Sequence, residues 1–178
     1  MEKPRRLHWG CGSHTRDDWI NSDLAAGPGI DICCDILKGL PLEDASIEYI
    51  SSQHGLPEIA IWDQVAALRE LHRVLKPDGV LRMSLPDLDL FIDAYRSGRA
   101  DAFHVYSWDT LAGNFITHML LHNTIKTPFT YGFAAELMGK AGFRTVYRTS
   151  FRQTGSAHSD IVQFDNRESE SFYIEAVK

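Results

Sequence analysis

The residues able to do chemistry gather where short apolar runs end. Gly10-Cys11-Gly12 follows directly on the strand-like run Arg6 to Trp9 (RLHW), and Asp23 closes the alternating run Trp19-Ile20-Asn21-Ser22-Asp23. Glycines in that place allow a tight turn and a close backbone approach to a ligand. A carboxylate at the end of the next strand can accept two hydrogen bonds from a ribose diol. A dinucleotide fingerprint would read Gly-x-Gly-x-x-Gly with its acid about 20 residues further on. Here Thr15 holds the third glycine position and Asp23 follows Gly12 by 11 residues. The pyrophosphate cradle is therefore missing, and no Gly-Lys-Ser/Thr marks a phosphate loop. A nucleoside without phosphates fits better, because it needs a diol acceptor more than an anion site.

A second set of residues could move a proton. His54, in Ser51-Ser52-Gln53-His54-Gly55, follows the strand-like run Ile47 to Ser51. His118 and His122 stand four apart, on one side of a helical stretch, and Tyr131 comes soon after. Imidazole suits proton removal near neutral pH. Each of these residues also has an ordinary reading, His54 as a polar loop residue and the pair as satisfied helix histidines. An i, i+4 histidine pair can grip a transition ion, with His104 or Asp109 as a third ligand. Met119 replaces the glutamate of H-E-x-x-H, however, and no metal is assigned. Cys11 has no neighbouring base and is set aside as a nucleophile.

These residues need a scaffold that brings strand ends together. Strands are expected at 6–9, 19–23, 30–34, 47–51, 80–85, 144–151 and 171–177. Ile61, Val65, Leu68, Leu71 and Leu75 recur at helical spacing until Pro77-Asp78-Gly79, and Trp62, Leu68, Leu71 and Leu75 read as core on a helix covering the sheet. Further helices are expected from Leu88 to Arg96, from Leu111 to Leu121, and at Phe133, Leu137 and Ala141 up to Gly142. Alternating strands and helices imply a mostly parallel sheet. Two successive final strands, joined by a polar loop, imply an antiparallel edge. Ligands of such sheets bind beyond the carboxyl ends of the strands, where the strand order reverses.

With 178 residues, 44% apolar and 24% charged, the chain is of ordinary globular composition, read as one domain over 1–178 with residues 98–130 as a cap or acceptor segment. A net charge of -6 argues against an extended nucleic-acid footprint. No apolar run approaches a membrane span. The charged N-terminus lacks a signal-peptide core, which points to a cytoplasmic address. The 3 cysteines, Cys11, Cys33 and Cys34, read as reduced thiols.

Several motifs together resemble class I S-adenosylmethionine-dependent methyltransferases. They are Leu7-His8-Trp9-Gly10-Cys11-Gly12, Trp19 to Asp23, Cys34-Asp35-Ile36, and Leu40-Pro41-Leu42-Glu43-Asp44-Ala45-Ser46. The run from Leu68 to Leu81 (LRELHRVLKPDGVL) is the most specific of them, and the likeness is nearest to small proteins of the methyltransferase type 11 group with a shortened first helix. The resemblance implies a Rossmann-like α/β three-layer sandwich of roughly seven strands, mostly parallel with an antiparallel C-terminal strand. It implies S-adenosyl-L-methionine as cofactor. Gly10, Cys11 and Gly12 would lie against its methionine part and ribose, Asp23 would take the ribose hydroxyls, and Asp35 would accept from the adenine amino group with Ile36 packing on the ring. Ser52 and Gln53 would line the pocket. His54, His118, His122 and Tyr131 are the candidates for handling the acceptor. His8 stands where the family usually has an acid, and His14 where it has a small residue. The function expected is methyl transfer to a small-molecule acceptor, an oxygen by preference. A non-catalytic nucleoside-binding module, a nicotinamide oxidoreductase and a metal enzyme are the rivals.

Overall fold

The computed structural model describes residues 5–103, 108–120 and 124–178. His104 and His122 lie outside the described residues. The strands are β1 (Arg6–Trp9), β2 (Ile20–Asp23), β3 (Ile32–Cys33), β4 (Ile47–Gln53), β5 (Leu75–Pro86), β6 (Thr145–Thr149) and β7 (Ser171–Val177). They form one sheet in the order β3-β2-β1-β4-β5-β7-β6. The pairings from β3 to β5 are parallel, and β7 runs antiparallel to both β5 and β6. The order reverses between β1 and β4, so the loops after those two strands open a crevice at the carboxyl edge.

The helices are α1 (Gln64–Val74), α2 (Leu88–Arg96), α3 (Leu111–Leu120) and α4 (Tyr131–Ala141). α1 turns Ala67, Leu68, Leu71 and Val74 inward at helical spacing. α4 starts where the Thr130 hydroxyl accepts from the Phe133 N–H and stops at Gly142, whose φ of 110° is left-handed. α1 and α4 pack on each other and on one face of the sheet, burying Leu7, Ile50, Leu81, Met83 and Ile174. Trp62, expected in that core, is 91% exposed, because a 3-10 turn over Ile61–Asp63 precedes α1 and points the indole outward. α2 and α3 form a satellite cluster around Phe91, Ala94 and Phe103.

The opposite face carries no long helix among the described residues. The segment between β1 and β2, where the resemblance implies a shortened first helix, is a turn braced by the Asn21 side chain. Its amide donates to the Arg16 and Trp19 carbonyls while its oxygen accepts from the Arg16 N–H. This face is covered by the loop 150–170, whose Ile161 and Phe164 pack on Trp19, Tyr49 and Val80. Polar side chains fasten that loop. Fully buried Arg82 of β5 donates to Asp165 from Nε (3.1 Å) and from its Nη2 (2.6 Å), and to Glu175 of β7 at 2.7 Å. Two loop carbonyls, of Ser150 and Gln153, accept its remaining hydrogen bonds. Arg6 pairs with Asp18 and Asp160, and Tyr49 donates to Asp160.

Candidate active site

A cleft of about 560 Å³ opens at the β1/β4 switch point. That volume lies within the range of small-molecule sites. One wall is the turn after β1. Gly10 (φ 64°) and Gly12 (φ 53°) are both left-handed, where a side chain is strained. A Cβ at Gly10 would also stand 3.2 Å from the Gly55 Cα, so the turns after β1 and β4 touch at the bottom of the crevice. Asp23 locks this turn: its Oδ2 accepts from the Gly12 N–H at 2.8 Å and its Oδ1 from the Ala25 N–H at 3.1 Å. Each oxygen keeps a lone pair for a ligand hydroxyl.

Further along, Asp35 uses Oδ1 to cap the short turn Ile36–Lys38, accepting from the Leu37 N–H at 3.0 Å, and buried Ile36 lies beside it. Leu24, Leu37, Cys11 and Cys34 share the lining. Burial and the neighbouring Asp23 push the Cys11 thiol up to about 11, so it is a neutral wall group.

His8 forms the floor at 1% exposure. Its ring stacks on Phe164 with centroids 3.6 Å apart, and its Nε2 bonds Gln53 Oε1 at 2.9 Å. Gln53 in turn donates to Ser51, and Ser51 to the Ile161 carbonyl. This chain of donors makes Nε2 the protonated nitrogen of His8, and the buried Nδ1 has no hydrogen-bond partner within normal distance among the described residues. Burial lowers its pKa to about 4 and keeps the ring neutral, against weaker opposing pulls from Gln53, the His14 backbone and Asp23.

The other end of the cleft belongs to His54, Pro86, Asn166 and Arg167. His54 sits at a left-handed φ of 56°, an unfavourable conformation for a non-glycine residue at the end of β4. Its Nε2 lies 2.7 Å from Ser171 Oγ on β7. Burial lowers its pKa to about 4; Glu170 pulls it up and Arg167 pushes it down. Glu58 also lines the cleft, and burial with Asp23 nearby raises its pKa while Lys126 lowers it.

Of the residues singled out in the sequence, Gly10, Cys11, Gly12, Asp23, Asp35, Ile36, Gln53 and His54 line this cleft. Ser52 does not. Strand alternation turns it under the Gly10–Gly55 contact, with its buried Oγ 3.1 Å from the place of a Gly55 Cβ. Gln53 reaches the wall, but both ends of its amide are bonded within the protein. His118 lies in the satellite cluster, 4.4 Å from the Phe91 ring centroid and off the cleft lining. No metal-holding cluster occurs among the described residues. Tyr131 packs edge-on to Phe172 with Arg148 over its ring, also away from the lining. Among the described residues of 98–130, Thr124, Ile125 and Lys126 reach the cleft. Sequence reasoning missed Phe164, Asn166 and Arg167, which come from a polar loop without periodicity, and Glu58, from the turn after β4.

A family model described as a methyltransferase domain matches residues 10–83. A demethylmenaquinone methyltransferase of Staphylococcus epidermidis is 42% identical over 59 residues, which is 32% of this chain. The match takes in only 24% of that relative's length. An S-adenosylmethionine-dependent methyltransferase from Archaeoglobus fulgidus superposes with a TM-score of 0.61 at 14% identity, covering 99% of this chain and 87% of the other. A possible histamine N-methyltransferase from Thermotoga maritima gives 0.60 at 17% identity, covering 100% and 84%. The chain thus has the fold of class I S-adenosylmethionine-dependent methyltransferases, and its residues 10–83 match the methyltransferase-domain model. That assignment implies S-adenosylmethionine as cofactor, and the residues present fit it. The turn is closed to side chains at Gly10, Asp23 keeps free lone pairs, and the orphaned His8 Nδ1 is an acceptor in the floor.

No helix among the described residues is long and apolar enough to cross a membrane.

Proposed function

We propose that this chain transfers a methyl group from S-adenosylmethionine to an oxygen of a small-molecule acceptor. The observation that supports this most is the pairing, in one cleft, of Asp23 against the Gly10–Gly12 turn at one end with His54 at the other. S-adenosylmethionine, when bound, supplies an electrophilic methyl group on a sulfonium. Asp23 accepts from the ribose hydroxyls, Asp35 holds the adenine edge, and the apolar side chains of Ile36 and Leu37 exclude water from the ring. His54 serves as base for a hydroxyl acceptor. With Nε2–H donating to Ser171, Nδ1 would take the acceptor's proton as the acceptor oxygen gains the methyl group and the methyl–sulfur bond breaks, the thioether S-adenosylhomocysteine leaving. A carboxylate acceptor would need no base, only positioning.

Calorimetry with S-adenosylhomocysteine tests the reading. Micromolar binding is expected, and Asp23→Ala should weaken it by about 1.5–3 kcal/mol, the value of hydrogen bonds to a charged group. Asp23→Asn, which retains an acceptor for Gly12, separates the turn from the diol. A protein that ignores S-adenosylhomocysteine but binds reduced nicotinamide dinucleotide would overturn the assignment.

A further inference from the structure

The charges around the cleft are segregated. Asp23 and Asp35 line the end assigned to the nucleoside, and Glu58 lies within electrostatic reach of Asp23. Lys126 and Arg167 are the cationic side chains among the described lining residues. Lys126 acts on Glu58, whereas Arg167 acts on His54. Arg167 grips Glu170, the chain neighbour of the Ser171 that bonds His54, so guanidinium and imidazole share one end of the cleft. Its Nη1 donates to Glu170 at 2.8 Å in a half-exposed i, i+3 pair, an arrangement that contributes little stability in water. Its Nε and Nη2 edge has no partner among the described residues. That edge is the planar fork that takes a carboxylate or phosphate two bonds at a time. Asn166, next in the wall, adds an amide donor that has no side-chain partner among the described residues.

The wall is also built to stay in place. Asp165, between Phe164 and Asn166, is buried with both oxygens on Arg82, and it accepts a further bond from the Arg152 N–H at 2.8 Å. Phe164 is pinned by its stack on His8. The residues on either side of Asp165 thus face the cleft from a fixed backbone, which favours an oriented contact over a diffuse charge.

We propose that the acceptor carries an anionic group, a carboxylate or a phosphate, beside the atom that is methylated, and that the Nε/Nη2 edge of Arg167 with the Asn166 amide holds it. This deepens the reading above and rests on it. The charged groups that face Arg167 and His54 are Glu170 and each other.

The test is an NMR titration of the Arg167 Nε–H and His54 ring signals in the full chain, free and loaded with S-adenosylhomocysteine. The probes are benzoate, inorganic phosphate and neutral benzamide. Benzoate or phosphate should move both signals, and benzamide should not. Arg167→Ala should weaken the anion at least about tenfold, and Arg167→Lys should restore only part of it, since a point charge lacks the fork. Tighter benzoate than phosphate assigns a carboxylate, and the reverse assigns a phosphate. Equal response to benzamide and benzoate, or anion binding that survives Arg167→Ala, overturns the proposal. Anion binding at Arg167 in a protein that rejects S-adenosylhomocysteine would uphold the anion site and sink the methyltransferase reading instead.

Discussion

On the face covered by α1 and α4, the sheet presents Leu7, Ile50, Leu81, Met83 and Ile174 to Leu68, Leu71, Leu137 and Met138. On the other face the same strands present Arg6, His8, Tyr49, Ser51, Arg82 and Glu175, and the cover is the loop 150–170. The first face is held by area removed from water, a non-directional force that tolerates small shifts. The second has a small apolar cluster of Trp19, Tyr49, Val80, Ile161 and Phe164 and is fastened by hydrogen bonds and by two buried ion pairs on Arg82, which work only at fixed geometry. The difference bears on the site. Helices α1 and α4 themselves supply no lining residue, and that face contributes Trp9, Ile36 and Ile59, whereas the loop cover supplies Phe164, Asn166 and Arg167. The directional cover is the one that faces the chemistry.

Four measurements sharpen or break this contrast. Arg82→Ala leaves Asp165 and Glu175 buried without their cation and should cost about 3–5 kcal/mol in denaturant unfolding; it should also weaken S-adenosylhomocysteine, because Phe164 loses its anchor. A loss no greater than that of a surface substitution would show that the loop is held by its apolar residues alone. Leu68→Ala, on the helical face, should cost about 2–5 kcal/mol while leaving cofactor affinity of the folded protein unchanged. If affinity falls in parallel, the two faces are coupled and the contrast fails.

Acidification addresses the loop face and the cleft together. His8 and His54 are held at about 4 in the fold against an ordinary 6.5. Between those values the unfolded chain binds more protons than the folded one, so stability rises with pH through the window and is full above it. Urea midpoints should therefore fall from pH 6.5 toward 4, and His8→Gln should make the fall shallower. A slope that His8→Gln leaves intact would mean that His8 is not buried as a neutral ring. Trp62 belongs to neither face; Trp62→Ala should change stability by no more than about 0.5 kcal/mol. A larger loss would mean that its indole is covered.

Much of the scaffold was legible because its signals are local. Apolar alternation marked β2 and β7, helical spacing marked α1, and Gly142 marked the end of α4. The glycine turn and the place of Asp23 beside it were legible too, since a tight turn after a strand needs small residues and an acid ending the adjacent strand falls on the same edge. Trp62 misled because spacing does not tell a helix from the 3-10 turn that precedes it. Ser52 misled because a strand continuing to Gln53 turns alternate residues to opposite faces, and Ser52 fell on the covered one.

What the sequence settled by itself is thus the set of strands and helices, the turn after β1 and the acid after β2, all properties of neighbouring residues. The tertiary structure alone decided which polar groups meet. Arg82 finds Asp165 across 83 positions, His54 finds Ser171 across 117, and Phe164 reaches His8 from a loop with no pattern of its own. Such encounters depend on the strand order and on how a long loop lies on the sheet. Short-range spacing carries no record of either, and they are what bring Arg167 and His54 to one cleft.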